Sequence, residues 1–220
     1  MTRRRVTIPL PTAGEAALGL LLAGLAGLPV LRTWALHLGA TEAELDAVLP
    51  GDDRTPSADL VATRAITVRA PADVVWPWVA QIGADRGGFY SYDALENLVG
   101  CGVRSADRVE PAWQTVRVGD AVALHPDLVL RVAVVEPGRA LVLEGNAAPG
   151  EQQPPYGFTW AFVLRAAPGG GTRLVVRERY VRAGTAAKVV TELASAASTV
   201  MSEKMLRGIR DRAERSGAGR

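Results

Sequence analysis

Apolar and polar positions change period along this chain, dividing it into an apolar start, a strand-rich middle and a helical end. Residues 62–69 (ATRAITVR) alternate and are rich in Thr, Ile and Val, which predicts a strand. Pro71 then sits at a first-turn position with Asp73 near the positive helix end, predicting a short helix over Val74 to Ile82. Pro77 should interrupt that helix and Gly83 should end it. Ser91 is placed to cap a second short helix through Leu98, stopped by Gly100. Strand patterns follow at Asp120–His125, Leu128–Glu136, Arg139–Glu144, Gly157–Leu164 and Thr172–Arg182, with a further short strand predicted at Trp113 to Val116. Pro137-Gly138 and the glycines Gly169 to Gly171 supply turns between them. From Thr185 to about Glu214 the period becomes helical, with Leu193, Ala197, Met201, Met205 and Ile209 near one stripe.

One strand, two short helices, a run of antiparallel strands and one long helix is not a βα alternation, which argues against a doubly wound sheet. The order predicts an α+β domain in which a curved antiparallel sheet wraps the long C-terminal helix and the short helices close one end. Such a shell encloses a cavity suited to a small apolar ligand.

Upstream of that domain, Thr41 and Glu44 have capping-box spacing, and Pro50-Gly51-Asp52-Asp53 ends the short helix they open. Residues 37–60 therefore read as a short helix and linker, 61–214 as the main domain, and 215–220 as a disordered tail. Residues 1–36 form a basic start and an apolar helix. Arg3, Arg4 and Arg5 precede a run from Ala16 to Leu31 without a charge. Those residues span about 24 Å as a helix, short of a ~30 Å hydrocarbon core. A membrane anchor through residues 16–31, an export signal and a packed helix all fit, so membrane association stands beside a cytoplasmic or exported soluble chain. With Arg3 to Arg5 on one side and Glu42, Glu44, Asp46, Asp52 and Asp53 on the other, the positive-inside rule leaves the N-terminus in the cytoplasm.

Composition narrows the chemistry. Of 220 residues, 48% are hydrophobic and the net charge is +2, which excludes intrinsic disorder. Mean hydropathy is +0.11, with much of the excess in the apolar start. A single Cys101 excludes a disulfide scaffold, and His37, His125 and Cys101 lack metal-ligand spacing, so no metal and no cofactor are expected. The pI near 9.0 reflects arginine, since Lys188 and Lys204 are the only lysines, and no basic block interleaves with aromatics as nucleic-acid binding would need.

The stretches Val75-Trp-Pro-Trp-Val79, Arg86-Gly-Gly-Phe-Tyr-Ser-Tyr-Asp93 and Leu95-Glu-Asn-Leu98 resemble the SRPBCC superfamily, also called START-like, which includes polyketide cyclase/dehydrase-like proteins. Ala106-Asp-Arg108, Val118-Gly-Asp120, Val135-Glu-Pro-Gly138, Thr159-Trp-Ala-Phe162 and Thr172-Arg-Leu174 resemble further markers of a bacterial subgroup. The resemblance covers residues 62–212, and the segment from Gly39 to Asp52 resembles a lead-in of that subgroup. It implies a helix-grip fold with a central hydrophobic cavity. It does not imply one activity, because the superfamily spans carriers, cyclases, hydrolases and chaperone regulators.

Within that frame, Phe89, Tyr90 and Tyr92 follow Gly87 and Gly88, and either reach the cavity mouth on a mobile loop or plug the core end behind a tight turn. Phe158, Trp160, Phe162 and Leu164 share one strand face, which reads as core, cavity wall or both. In the last strand Glu178 and Tyr180 share a face opposite Arg173, Arg177 and Arg179. A solvated arginine face would turn Glu178 inward, as a working acid or base or one half of a structural ion pair. His125 is the one imidazole of the main domain, and its place before Pro126-Asp127 also suits a surface turn. Asp93, Glu96 and Asn97 share one short helix without further metal ligands, and Cys101 has no identifiable base.

Three functions fit. The first is binding of a lipid-like or polycyclic molecule by Phe89, Tyr90, Tyr92, Trp160, Phe162, Glu178 and Tyr180. The second is a cyclase or dehydratase using Glu178 or His125, and the third is a non-catalytic interaction module with a filled cavity.

Overall fold

A computed structural model describes residues 28–145, 156–182 and 184–218. The chain divides into two units, Met1–Ala35 and Leu36–Arg220. Residues 28–36 are helical (α1), and Leu28, Val30, Leu31 and Trp34 on it are exposed. Most of the apolar run at 16–31 lies outside the described residues. Among the described residues no helix is long and apolar enough to cross a membrane.

The second unit is a helix-grip fold, an antiparallel sheet wrapped around one long C-terminal helix. Six strands, β1 (Leu60–Val68), β2 (Ala121–His125), β3 (Leu128–Glu136), β4 (Ala140–Glu144), β5 (Tyr156–Ala166) and β6 (Thr172–Arg182), form one antiparallel sheet in the order β1-β6-β5-β4-β3-β2. Register shifts between Ala123 and His125 and between Val132 and Val134 bend its far side, as bulges do. The long helix α5 (Gly184–Ala218) packs against β1, β6 and the short helix α3 (Ala72–Ala80). Its approach requires glycine at 208, where a Cβ would come within 2.1 Å of the Tyr90 carbonyl oxygen.

The predicted elements appear with small shifts at their ends. Helix α3 runs through Pro77 to Ala80 instead of breaking there. Trp113 belongs to a 3₁₀ turn, Pro111–Trp113, and not to a strand. The helix α4 (Asp93–Leu98) starts at Tyr92 without a side-chain cap, because Ser91 turns its hydroxyl to the Glu96 carboxylate one helical turn away.

Residues 37–60, read from sequence as a short helix and linker, are laid across the convex face of the sheet. Helix α2 (Glu42–Asp46) has the predicted capping box between Thr41 and Glu44. Leu49 packs into a small cluster with Ala65, Val163 and Val175, the convex-side residues of β1, β5 and β6. The arginine face of β6 is therefore covered and not solvated. The Arg177 side chain is 3% exposed and donates to Thr63 Oγ1, Asp52 Oδ2 and the carbonyls of Ala47, Glu44 and Leu45. Arg173 holds both oxygens of Glu44 at 2.7 and 2.8 Å, and Arg179 donates to the Thr55 carbonyl. Hydrogen bonding from Arg173 is the main reason the Glu44 carboxyl is lowered to about 2.

Candidate functional site

Between the concave face and α5 lies a cavity of about 620 Å³, within the ~300–1,000 Å³ range of small-molecule sites. Period two decides what faces it. Phe158 and Trp160 of β5, Glu178 and Tyr180 of β6, and Leu130 of β3 point inward and line it. From α5, Ala197, Ser198, Met201, Ser202 and Met205 form the opposite wall. Leu95, Leu98 and Val99 line it near α4, and all three are exposed, so the mouth is apolar.

The candidate aromatics separate. Phe89 lines the cavity, with its ring centroid 6.3 Å from that of Trp160. Tyr90 does not line it. Its side chain is buried against Trp78, its hydroxyl donates to the Trp78 carbonyl at 3.0 Å, and the Arg212 guanidinium stacks 5.0 Å from its ring. Burial pushes its hydroxyl well above the usual phenol range. Tyr90 takes this place because its backbone adopts φ 59°, with its N–H bonded to Ser105 Oγ. Tyr92 is also outside the lining: it is exposed, with the Lys204 ammonium 5.8 Å above its ring. Phe162 lies one step deeper in the core behind Trp160, their centroids 4.7 Å apart, and does not reach the cavity. The glycines before Phe89 make a tight turn rather than a mobile loop. Gly87 donates to the Gln81 carbonyl, and Gly88 has φ 71° with Ser105 pressed against it.

Glu178 faces the cavity from β6, but it is neither unpaired nor exposed. It is 2% exposed and forms an ion pair at 3.0 Å with Arg64, whose side chain is fully buried. Its Oε1 also accepts from Ser198 Oγ at 2.6 Å and Ser202 Oγ at 3.0 Å, and its Oε2 from Tyr180 at 2.9 Å. A carboxylate has about four acceptor positions. Four donors already hold Glu178, three of them on Oε1 and one on Oε2, so the carboxylate is committed to its neighbours.

His125 does not line the cavity. Its Nδ1 accepts the Asp127 N–H at 3.1 Å, which leaves the proton on Nε2, 3.1 Å from the Val99 carbonyl. Nδ1 holds the turn at Asp127, and Nε2 ties that turn to the end of α4.

Three groups carry weight that the sequence did not assign to the cavity. Arg64 was legible in principle, since the alternation of Ala62, Arg64 and Ile66 puts it on the inner face of β1. Ser198 and Ser202 are one turn apart on α5, but nothing local marks them as partners of a strand residue. Glu96 is the third. Of the polar residues on α4, Asp93 is committed to Ser105 and Asn97 to the Val103 backbone, which leaves no metal cluster on that helix. Glu96 alone lines the cavity, bonded to Ser91 through one oxygen, with Oε2 buried and unpartnered among the described residues. Burial raises its carboxyl, and the neighbouring Asp93 adds to the rise. Cys101 also lines the cavity, and burial beside Glu96 pushes its thiol up, away from the reactive thiolate. Among the described residues no group of three or more His, Cys, Asp or Glu could hold a metal ion.

No protein-family model matches the sequence, and no curated protein matches it. Similar solved structures include protein Ms6760 from Mycobacterium smegmatis, 13% identical with a TM-score of 0.46 over 71% of this chain and 92% of that one. Protein MLL2253 from Mesorhizobium loti is 14% identical with a TM-score of 0.44, over 71% of this chain and 98% of that one. The Zhui aromatase/cyclase from Streptomyces sp. R1128 is 17% identical with a TM-score of 0.43, over 71% and 94%.

Proposed function

We propose that this protein binds an apolar small molecule, lipid-like or polycyclic, in the cavity between the sheet and α5. The observation that carries the reading is the cavity itself: about 620 Å³, walled by Phe89, Phe158, Trp160, Met201 and Met205, with a polar corner at Glu178, Ser198 and Ser202 and a second polar group, Glu96, on α4. Apolar walls with a few fixed polar groups are the usual construction of a small-molecule site. Phe89, Trp160 and Tyr180 supply flat contact, and the Glu178 corner orients the bound molecule. A filled cavity, the expectation for a pure interaction module, is not what these side chains leave.

Mass spectrometry of apolar molecules co-purifying with the full chain tests this reading. The wild type should carry such a molecule, and Met201→Trp, which fills the cavity from α5, should not. Recovery of none from the wild type, or equal recovery from both, sinks it.

A second reading, a cyclase or dehydratase, is favoured by one observation. Glu96 is a cavity carboxyl raised by burial, with one oxygen left without a partner among the described residues, the two features a general acid needs. In that reading Glu96 takes the role first assigned to Glu178 or His125, and Glu96→Gln abolishes turnover while leaving binding intact.

A further inference from the structure

We infer that the polar corner of the cavity reads a hydrogen-bond donor, so that the preferred occupant is an apolar molecule bearing a hydroxyl rather than a carbonyl. The inference rests on the binding function proposed above and specifies its ligand class. It follows from where the protons of the corner are already spent. The Glu178 carboxylate, paired with Arg64, only accepts. Ser198 and Ser202 sit at i and i+4 on α5, so both hydroxyls project from one side of the helix to the same carboxylate.

Each serine hydroxyl has a single proton. Ser198 donates its proton to Glu178 Oε1 at 2.6 Å. Ser202 donates to the same oxygen at 3.0 Å or to Ser198 at 3.2 Å, and in either arrangement its proton stays inside the cluster. Both serines line the cavity, and what they have left to offer a ligand is oxygen lone pairs. A ligand O–H placed there finds an acceptor. A ligand carbonyl meets lone pairs and loses its water without replacement, the costly side of hydrogen-bond asymmetry.

The competing account is that the cluster only clamps α5 to the sheet, with Arg64 also donating to Thr199 at 2.8 Å. A clamp by itself does not discriminate between a donor and an acceptor on the ligand.

A matched pair of probes separates the two accounts. 1-(2-Naphthyl)ethanol and 2-acetylnaphthalene share one carbon skeleton and differ in carrying an O–H or a C=O. Binding of each to the full chain is measured by equilibrium dialysis. The alcohol should bind roughly tenfold tighter than the ketone. In Glu178→Gln the side-chain amide returns a proton to the serines, and the ratio should fall to within about twofold. Equal affinity or a ketone preference in the wild type overturns the inference and leaves cavity binding standing. Binding of neither probe overturns the cavity function and the inference together. The wild-type ratio must favour the alcohol whether or not the variant folds. In folded Glu178→Gln, a full alcohol preference would place the discrimination elsewhere and overturn the role of this cluster.

Discussion

Alternate residues of β6 carry charge to both faces of one sheet: Glu178 to the concave side, Arg173, Arg177 and Arg179 to the convex side. Both sides are buried, yet the charges are satisfied differently. On the convex side Arg177 is held by the backbone carbonyls of Glu44, Leu45 and Ala47 as well as by Asp52, so its partners include groups that no substitution removes. On the concave side the Arg64–Glu178 pair is satisfied by hydroxyls of α5 and β6 at the edge of an open space. Buried ion pairs are weak evidence for stability, because desolvation offsets their attraction. The convex arginines fasten a segment to the sheet. The concave pair leaves polar atoms against a cavity.

The largest effect that tests this contrast is on the convex side. Arg177→Ala should cost about 3–5 kcal/mol in urea unfolding, because it strands Asp52 and three carbonyls at once. A loss under about 1 kcal/mol would make the segment 37–60 a loose covering. Next comes Met201→Trp on the concave side, which should weaken 1-(2-naphthyl)ethanol binding more than about tenfold while moving stability by no more than about 1 kcal/mol. A stability loss as large as that of Arg177→Ala would mean the cavity wall is packed as tightly as the convex face.

A pH series gives a smaller effect. The folded Glu44 carboxyl titrates at about 2 against an ordinary 4.5, so its contribution is complete above the unfolded value and is lost as pH falls toward 2. Thermal melts of the wild type and Glu44→Gln should differ most above pH 5 and converge near pH 2. A constant difference across that range would detach α2 from the Arg173 ion pair. The smallest effect is expected for Arg64→Met/Glu178→Leu. Replacing both buried charges with apolar groups should leave stability within about 1 kcal/mol of the wild type. A collapse like that of Arg177→Ala would make the concave pair as structural as the convex one.

Much of the architecture was readable from local pattern. Strand and helix positions follow from period and turn residues, as the near coincidence of the predicted and observed ranges for β3, β6 and α5 shows. The capping box at Thr41 and Glu44 needs four residues to specify, and it formed. The site was less legible. Phe89 and Tyr90 are adjacent and chemically similar, yet one lines the cavity and the other is buried against Trp78, because a left-handed backbone turn at Tyr90 separates them.

By itself the sequence determined the α+β order of elements and the opposition of Glu178 and Tyr180 to the three arginines, because side chains in a strand alternate with a period of two. Period two says which residues share a face, but not what covers that face. The tertiary structure decided that the arginine face lies under residues more than a hundred positions earlier in the chain. It also decided that Arg64, Ser198 and Ser202 meet at one carboxylate. Those contacts join distant stretches of chain, and no local pattern encodes which stretch arrives.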